Sequence, residues 1–174
     1  MQITLDPIDW KRLTSFGSAE AFLEWYFDIE DEGELTPVSC YSFEWSDSAI
    51  LYFQVASALE HLAAGGDEAL AEQIRRGIGR LITENGHVDE LGMSAASEGH
   101  YWISASPETT VELQRHIAAL DRARLVALLK EKPAPYTEEL MSDLDGLFVP
   151  LIEQHAKVVD AAVSGGYGLL GHCG

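Results

Sequence analysis

The chain lacks lysine and arginine over 62 consecutive residues, 13 to 74. That stretch holds thirteen carboxylates: Glu20, Glu24, Asp28, Glu30, Asp31, Glu32, Glu34, Glu44, Asp47, Glu60, Asp67, Glu68 and Glu72. It therefore carries −13 of a formal net charge of −18, and the remainder of the 174 residues is close to balanced. A field of one sign repels phosphate backbones and anionic lipid and draws in cationic partners. The eleven basic residues are scattered along the rest of the chain, whereas counterion release from DNA or RNA needs a clustered patch. Nucleic acid is therefore not an expected partner.

Other absences narrow the class further. The segment Met1-Gln2-Ile3-Thr4-Leu5-Asp6-Pro7 has neither the basic start nor the apolar core of a signal peptide. The longest apolar run, near Ala49 to Val55, is too short to cross a bilayer and contains Gln54. Cys40 and Cys173 lie far apart and form no spaced framework; two reduced thiols are expected, with a disulfide between them left open. These features point to a cytoplasmic protein with no membrane contact. With 47% hydrophobic residues and a mean hydropathy of −0.03, the chain is no disordered acidic tail, despite its charge. Its length suits one domain, 1–174, able to bury a core, with no internal repeat and no low-complexity linker.

Local signals predict helices framed by short strands. Ile3 to Leu5 reads as a strand closed by Asp6-Pro7. Ser18 caps a helix through Ala21, Phe22, Trp25, Tyr26 and Ile29. Acids oppose the dipole at a helix C-terminus, so this helix should end near Ile29, with Gly33 in a loop. Asp47 caps a segment from Ser48 to Leu62 that is apolar on nearly every side, the mark of a buried helix. Gly65-Gly66 stops it, and Asp67 caps the next, where Leu70, Ile74, Ile78 and Leu81 recur at helical spacing. Gly77 and Gly79 weaken that helix, each by about 1 kcal/mol against alanine, where another element packs closely. Residues 84 to 99 read as a loop.

His100 to Ser104 is the best internal strand, and Ser106-Pro107-Glu108 is a helix start with cap, proline and first-turn acid. Val111, Ile117, Ala118 and Leu120 form its apolar side. Asp121 restarts a helix through Leu125 to Leu129, ended by Pro133 and Pro135. A late helix runs from Thr137, is kinked or split at Pro150, and resumes through Ile152, Val158, Val159 and Ala162 to a stop at Gly165-Gly166. Tyr167 to Cys173 is the last strand. The expected fold is α/β or α+β, predominantly helical and packed on a small sheet that includes 100 to 104 and 167 to 173.

The segment His-Tyr-Trp-Ile-Ser-Ala-Ser-Pro-Glu (100 to 108), the helix ending Ile117-Ala-Ala-Leu-Asp121 with Leu125, and the late helix with Leu140, Leu144 and Leu147 followed by a glycine turn and apolar strand resemble the YfbM-like family of small bacterial proteins of unknown function. The resemblance covers a little under half the chain. The first half departs from it: the family's Met-Gly-rich opening is absent, since Met1 is followed by Gln2-Ile3. The resemblance implies an α/β fold and carries no activity and no functional residue.

No motif names a reaction. The histidines His61, His87, His100, His116, His155 and His172 have no His-x-x-x-His or Cys-x-x-Cys partner spacing, so no metal and no cofactor is expected. Glu98-Gly99-His100 offers a carboxylate and an imidazole, a pairing that any loop also produces by chance. His172 and Cys173 adjoin, but strand neighbours point to opposite faces. Gly165-Gly166-Tyr167-Gly168 follows a helix, the reverse of a phosphate-cradling order. The acid run lacks the alternation and bidentate glutamate of a calcium loop. Trp25, Tyr26, Phe27, Tyr41, Phe43, Trp45, Tyr52 and Phe53 cluster in the acidic half, as core or as anchors within an acidic rim.

Two functions compete. The first is a non-enzymatic interaction module, of inhibitor or immunity type, that binds a basic protein partner through Glu30, Asp31, Glu32, Glu34 and Trp45. The second is a small hydrolase or transferase whose site is assembled from dispersed residues such as Glu98, His100 and a thiol. A deep pocket with convergent polar groups favours the enzyme; a shallow acidic face favours the binder.

Overall fold

The computed structural model describes residues 3–31, 43–45, 65–79, 91–92, 101–131 and 149–173. The architecture is α+β, predominantly helical, on a small antiparallel sheet. Strands β1 (Ile3–Ile8), β2 (Phe43–Trp45), β3 (Tyr101–Ala105) and β4 (Gly168–Cys173) lie in the order β2-β1-β4-β3. The expected pairing of the internal and last strands is present, with Trp102 opposite His172 and Ala105 opposite Leu169.

β1 runs on through Asp6-Pro7, where closure was expected. It pairs with β4 over its whole length, Ile3 with Cys173 and Ile8 with Gly168, but with β2 only over Ile3 to Leu5. Among the described residues, Pro7 lies beyond the three positions that pair with β2 and stands opposite Leu169 of β4.

Alternation along the strands separates two cores. Leu5, Ala105 and Leu169 face the larger, with Leu70, Ile74, Leu113, Ile117, Leu125, Ile152 and Val159 from the helices. Ile8, Trp102 and Leu170 face the smaller, with Leu13, Phe22 and Tyr26. Helices α1 (Trp10–Leu13) and α2 (Ala19–Asp31) cover that second face. On the first lie α3 (Glu68–Ile74), α4 (Pro107–Ala118), α5 (Arg122–Glu131) and α6 (Val149–Gly165).

The caps are the sequence's own. Asp67 Oδ1 accepts from the Leu70 N–H (3.3 Å), Ser106 Oγ from Thr109 N–H (3.2 Å) and Asp121 Oδ1 from Arg124 N–H (2.9 Å). Pro107 stands at the first helical position of α4, where its missing N–H costs nothing. Pro150 sits in the first described turn of α6, a position of the same kind. Gly166 closes α6 at φ 69°, with Gly166 N–H donating to Val163 O (3.1 Å) and Tyr167 N–H to Ala162 O (2.9 Å), a Schellman end.

Three expectations need correction. The helix after Asp67 is α-helical only to Ile74 and then widens into a π-helical turn, Arg75–Gly79. The close approach expected at its glycines is real at Gly77, where an added Cβ would stand 3.6 Å from the His116 and Ile117 backbone. On α4 and just past its end, Ile117 and Leu120 are buried as expected, but Thr110 and Leu113 are buried too, while Ala118 is exposed and Val111 half-buried, so the stripe is turned in part from the one expected. Thr110 is accommodated because its hydroxyl donates to Ser106 O at 2.7 Å. Finally, α2 reaches Asp31, two residues past its expected end. The Ser48 to Leu62 segment, Leu81 and the Thr137 to Leu147 segment lie outside the described residues.

Gly168 is closely enclosed by the neighbouring strand and by α1. A Cβ there would meet Ala105 O and the Trp10 ring, both at 2.6 Å. Gly168→Ala should cost about 1–3 kcal/mol in urea denaturation, since overpacking displaces backbone or ring. Gly17→Ala, with nothing within 4 Å, serves as the control and should stay within about 0.5 kcal/mol. Equal effects at the two sites would contradict this packing.

Candidate functional site: an acidic helix on an aromatic base

α2 is positioned by its own start and by one buried stripe. Ser18 Oγ accepts from Ala21 N–H at 3.3 Å, and Ala19, Phe22 and Tyr26, spaced at helical intervals, are buried. Trp102 receives that stripe from the sheet: Phe22 and Tyr26 meet it edge to face, at 5.8 and 5.2 Å between ring centroids. His172, opposite Trp102 in the register, stacks on it at 4.4 Å. Each such ring pair adds about 0.5–1.5 kcal/mol beyond area burial, so α2 is held to the sheet by a contiguous aromatic layer.

The outer side of this layer is half-buried. Phe16 and Trp25 pack together at 5.4 Å, and both touch Phe22. The Arg12 guanidinium lies 4.6 Å from the centre of the Trp25 ring. Arg12 is brought there by α1, which Asp9 caps through the Lys11 and Arg12 N–H groups (3.0 and 3.3 Å). Trp25 thus presents a ring face on which a cation already rests. Glu20 and Glu24 are exposed and one turn apart on α2. Asp28, Glu30 and Asp31 follow, and no basic residue stands in the last turn. Like charges one turn apart repel, and carboxylates at the negative end of a helix dipole are disfavoured. The helix persists because its aromatic face is buried, not because its charges agree.

Of the residues expected to bind a partner, Glu30 and Asp31 occupy the last turn of α2. Trp45 ends β2, opposite Ile3. Glu32 and Glu34 lie outside the described residues, as do Cys40, His61, His87, Glu98 and His100. Cys173 occupies the register position opposite Ile3 and Tyr101, one residue on from His172. Among the described residues no three His, Cys, Asp or Glu side chains gather as a metal site requires, and no helix is long and apolar enough to cross a membrane.

Two features had no sequence signal. The His155 side chain, 1% exposed, shares the buried face of α6 with Ile152 and Val159, and desolvation pushes its pKa down from 6.5 to about 4. Asp67 meets Arg124 across 57 positions, accepting from Nε (3.0 Å) and Nη2 (2.6 Å). That contact, with the Leu70 N–H, holds the Asp67 carboxyl below its usual range. Glu72 is held low likewise by Arg76 and Arg75.

No protein-family model, no curated protein and no solved structure matches the chain.

Proposed function

We propose that this protein is a non-enzymatic interaction module, of inhibitor or immunity type, acting in the cytoplasm on a basic protein partner. The binding face is the part of the acidic stretch carried by α2; Asp67, Glu68 and Glu72 of the same stretch stand at α3, against the other core, where Asp67 and Glu72 pair with arginines. The observation that carries the reading is the last turn of α2, where Asp28, Glu30 and Asp31 sit at the negative end of the dipole with no cation among them. A partner's lysines or arginines would relieve that repulsion and gain the dipole as well. The half-buried Trp25 and Phe16 beside the exposed Glu20 and Glu24 supply an aromatic anchor inside an acidic rim. The same field turns away nucleic acid.

A pull-down at low salt, repeated with Glu30, Asp31, Glu32 and Glu34 changed to neutral residues, tests this. The expected result is loss of the partner and a flatter salt dependence, because four carboxylates leave the interface. The same partner held with the same affinity and salt slope would refute the reading and leave the charge a solubility device.

A further inference from the structure

We infer that the cleft between α4 and α6, on the side of the sheet away from α2, binds a small α-amino acid zwitterion. In this site Arg122 takes the carboxylate and Asp160 the ammonium.

The cleft measures about 80 Å³ and has an apolar floor of Ile117, Ala156 and Val159 beneath Gln114, Arg122 and Asp160. Gln114 Nε2 donates to Asp160 Oδ1 at 2.8 Å, across 46 positions, which orients the carboxylate. Asp160 Oδ2 has no protein donor among the described residues. Arg122 is half-buried at the start of α5, and its guanidinium makes no ion pair and no side-chain hydrogen bond among the described residues. Arg124, two positions on, has found Asp67. So a guanidinium and a carboxylate line one cleft without pairing with each other.

That arrangement selects among occupants by charge. A lone anion on Arg122 is repelled by Asp160, and a lone cation on Asp160 is repelled by Arg122. A molecule with both charges a few bonds apart satisfies both groups, and the fork of Arg122 suits a carboxylate in two-point contact. Size limits the ligand further. The cleft has roughly half the volume of the ~150 Å³ engineered cavity that holds benzene, so it admits the backbone of an amino acid and a methyl group. Ile117, Ala156 and Val159 give that methyl group an apolar seat.

The test is a ¹⁵N–¹H titration of the full chain at low salt and neutral pH with L-alanine, acetate and methylamine as separate probes. L-Alanine should give saturable shifts at residues 114–122 and 156–160 with a millimolar Kd, and the two half-ligands should bind at least about tenfold more weakly. Arg122→Gln and Asp160→Asn should each weaken L-alanine about tenfold or more. Asp160 is exposed, so Asp160→Asn should keep the wild-type melting temperature and decides the matter if Arg122→Gln is unstable. Absence of saturable shifts, acetate or methylamine binding as tightly as L-alanine, or an unchanged affinity in Asp160→Asn would each overturn the assignment.

Discussion

Trp102→Ala is expected to lower the unfolding free energy by about 3–5 kcal/mol, the range for emptying a large aromatic site in a core. Trp102 is 1% exposed and is the shared contact of Phe22, Tyr26 and His172, so its removal opens a void beneath α2. Those partners belong to two elements, α2 and β4, and neither can collapse into the space without leaving its own ladder or helix. Trp102→Phe should cost much less, since it keeps the apolar ring. Urea denaturation followed by far-ultraviolet circular dichroism checks both. A loss below about 1 kcal/mol for the alanine variant would mean that the aromatic layer does not hold α2 to the sheet.

The second large effect is one of pH. Unfolded, His155 protonates as pH falls below about 6.5; folded, it stays neutral until about pH 4. Between those values the unfolded state binds more protons, so stability drops as the solution is acidified through that window. A shift of this size corresponds to about 3 kcal/mol at most, all of it realised by the bottom of the window. The carboxylates Asp67 and Glu72 act in the same direction but later, below their ordinary values of 3.8 and 4.5, as protonation removes their arginine contacts. His155→Leu isolates the imidazole. The wild type should lose stability relative to this variant between pH 6.5 and 4 and run parallel to it above pH 7. Parallel curves throughout would show that His155 is solvated.

Chain punctuation was legible wherever a local rule acts alone. Ser106-Pro107, Asp67, Asp121 and Gly166 set element ends through contacts within three to five residues, which sequence displays directly. The strands Tyr101–Ala105 and Gly168–Cys173 were legible as apolar runs between breakers. What needed the fold was whatever depends on a neighbour far along the chain. Pro7 sits inside a strand because β4 pairs with β1 from Ile3 to Ile8. The π-helical turn lies where Gly77 meets the backbone of α4, and Leu113 rather than Ala118 is buried because of where α6 and the sheet stand.

The candidate site was legible as charge and not as shape. The missing cations between 13 and 74 showed a run of acids, but not that α2 would carry acids through its last turn. Arg12 lies just outside that stretch and folds back onto Trp25, a contact set by α1 and Asp9 that spacing does not reveal. Trp45 and Glu30 were grouped by proximity in sequence, whereas the structure places them on a strand and on a helix. Gln114, Arg122 and Asp160 converge only because α4 and α6 pack side by side.

The most direct test of the acidic face is a ¹⁵N–¹H titration with a short polyarginine peptide at low and at high salt. The account predicts shifts concentrated on residues 19–31 and the Trp25 indole, with affinity falling steeply as salt rises. Shifts spread equally over exposed acids on other elements, such as Glu108, Glu112 and Glu153, would contradict it and leave the acidic stretch as solvated charge.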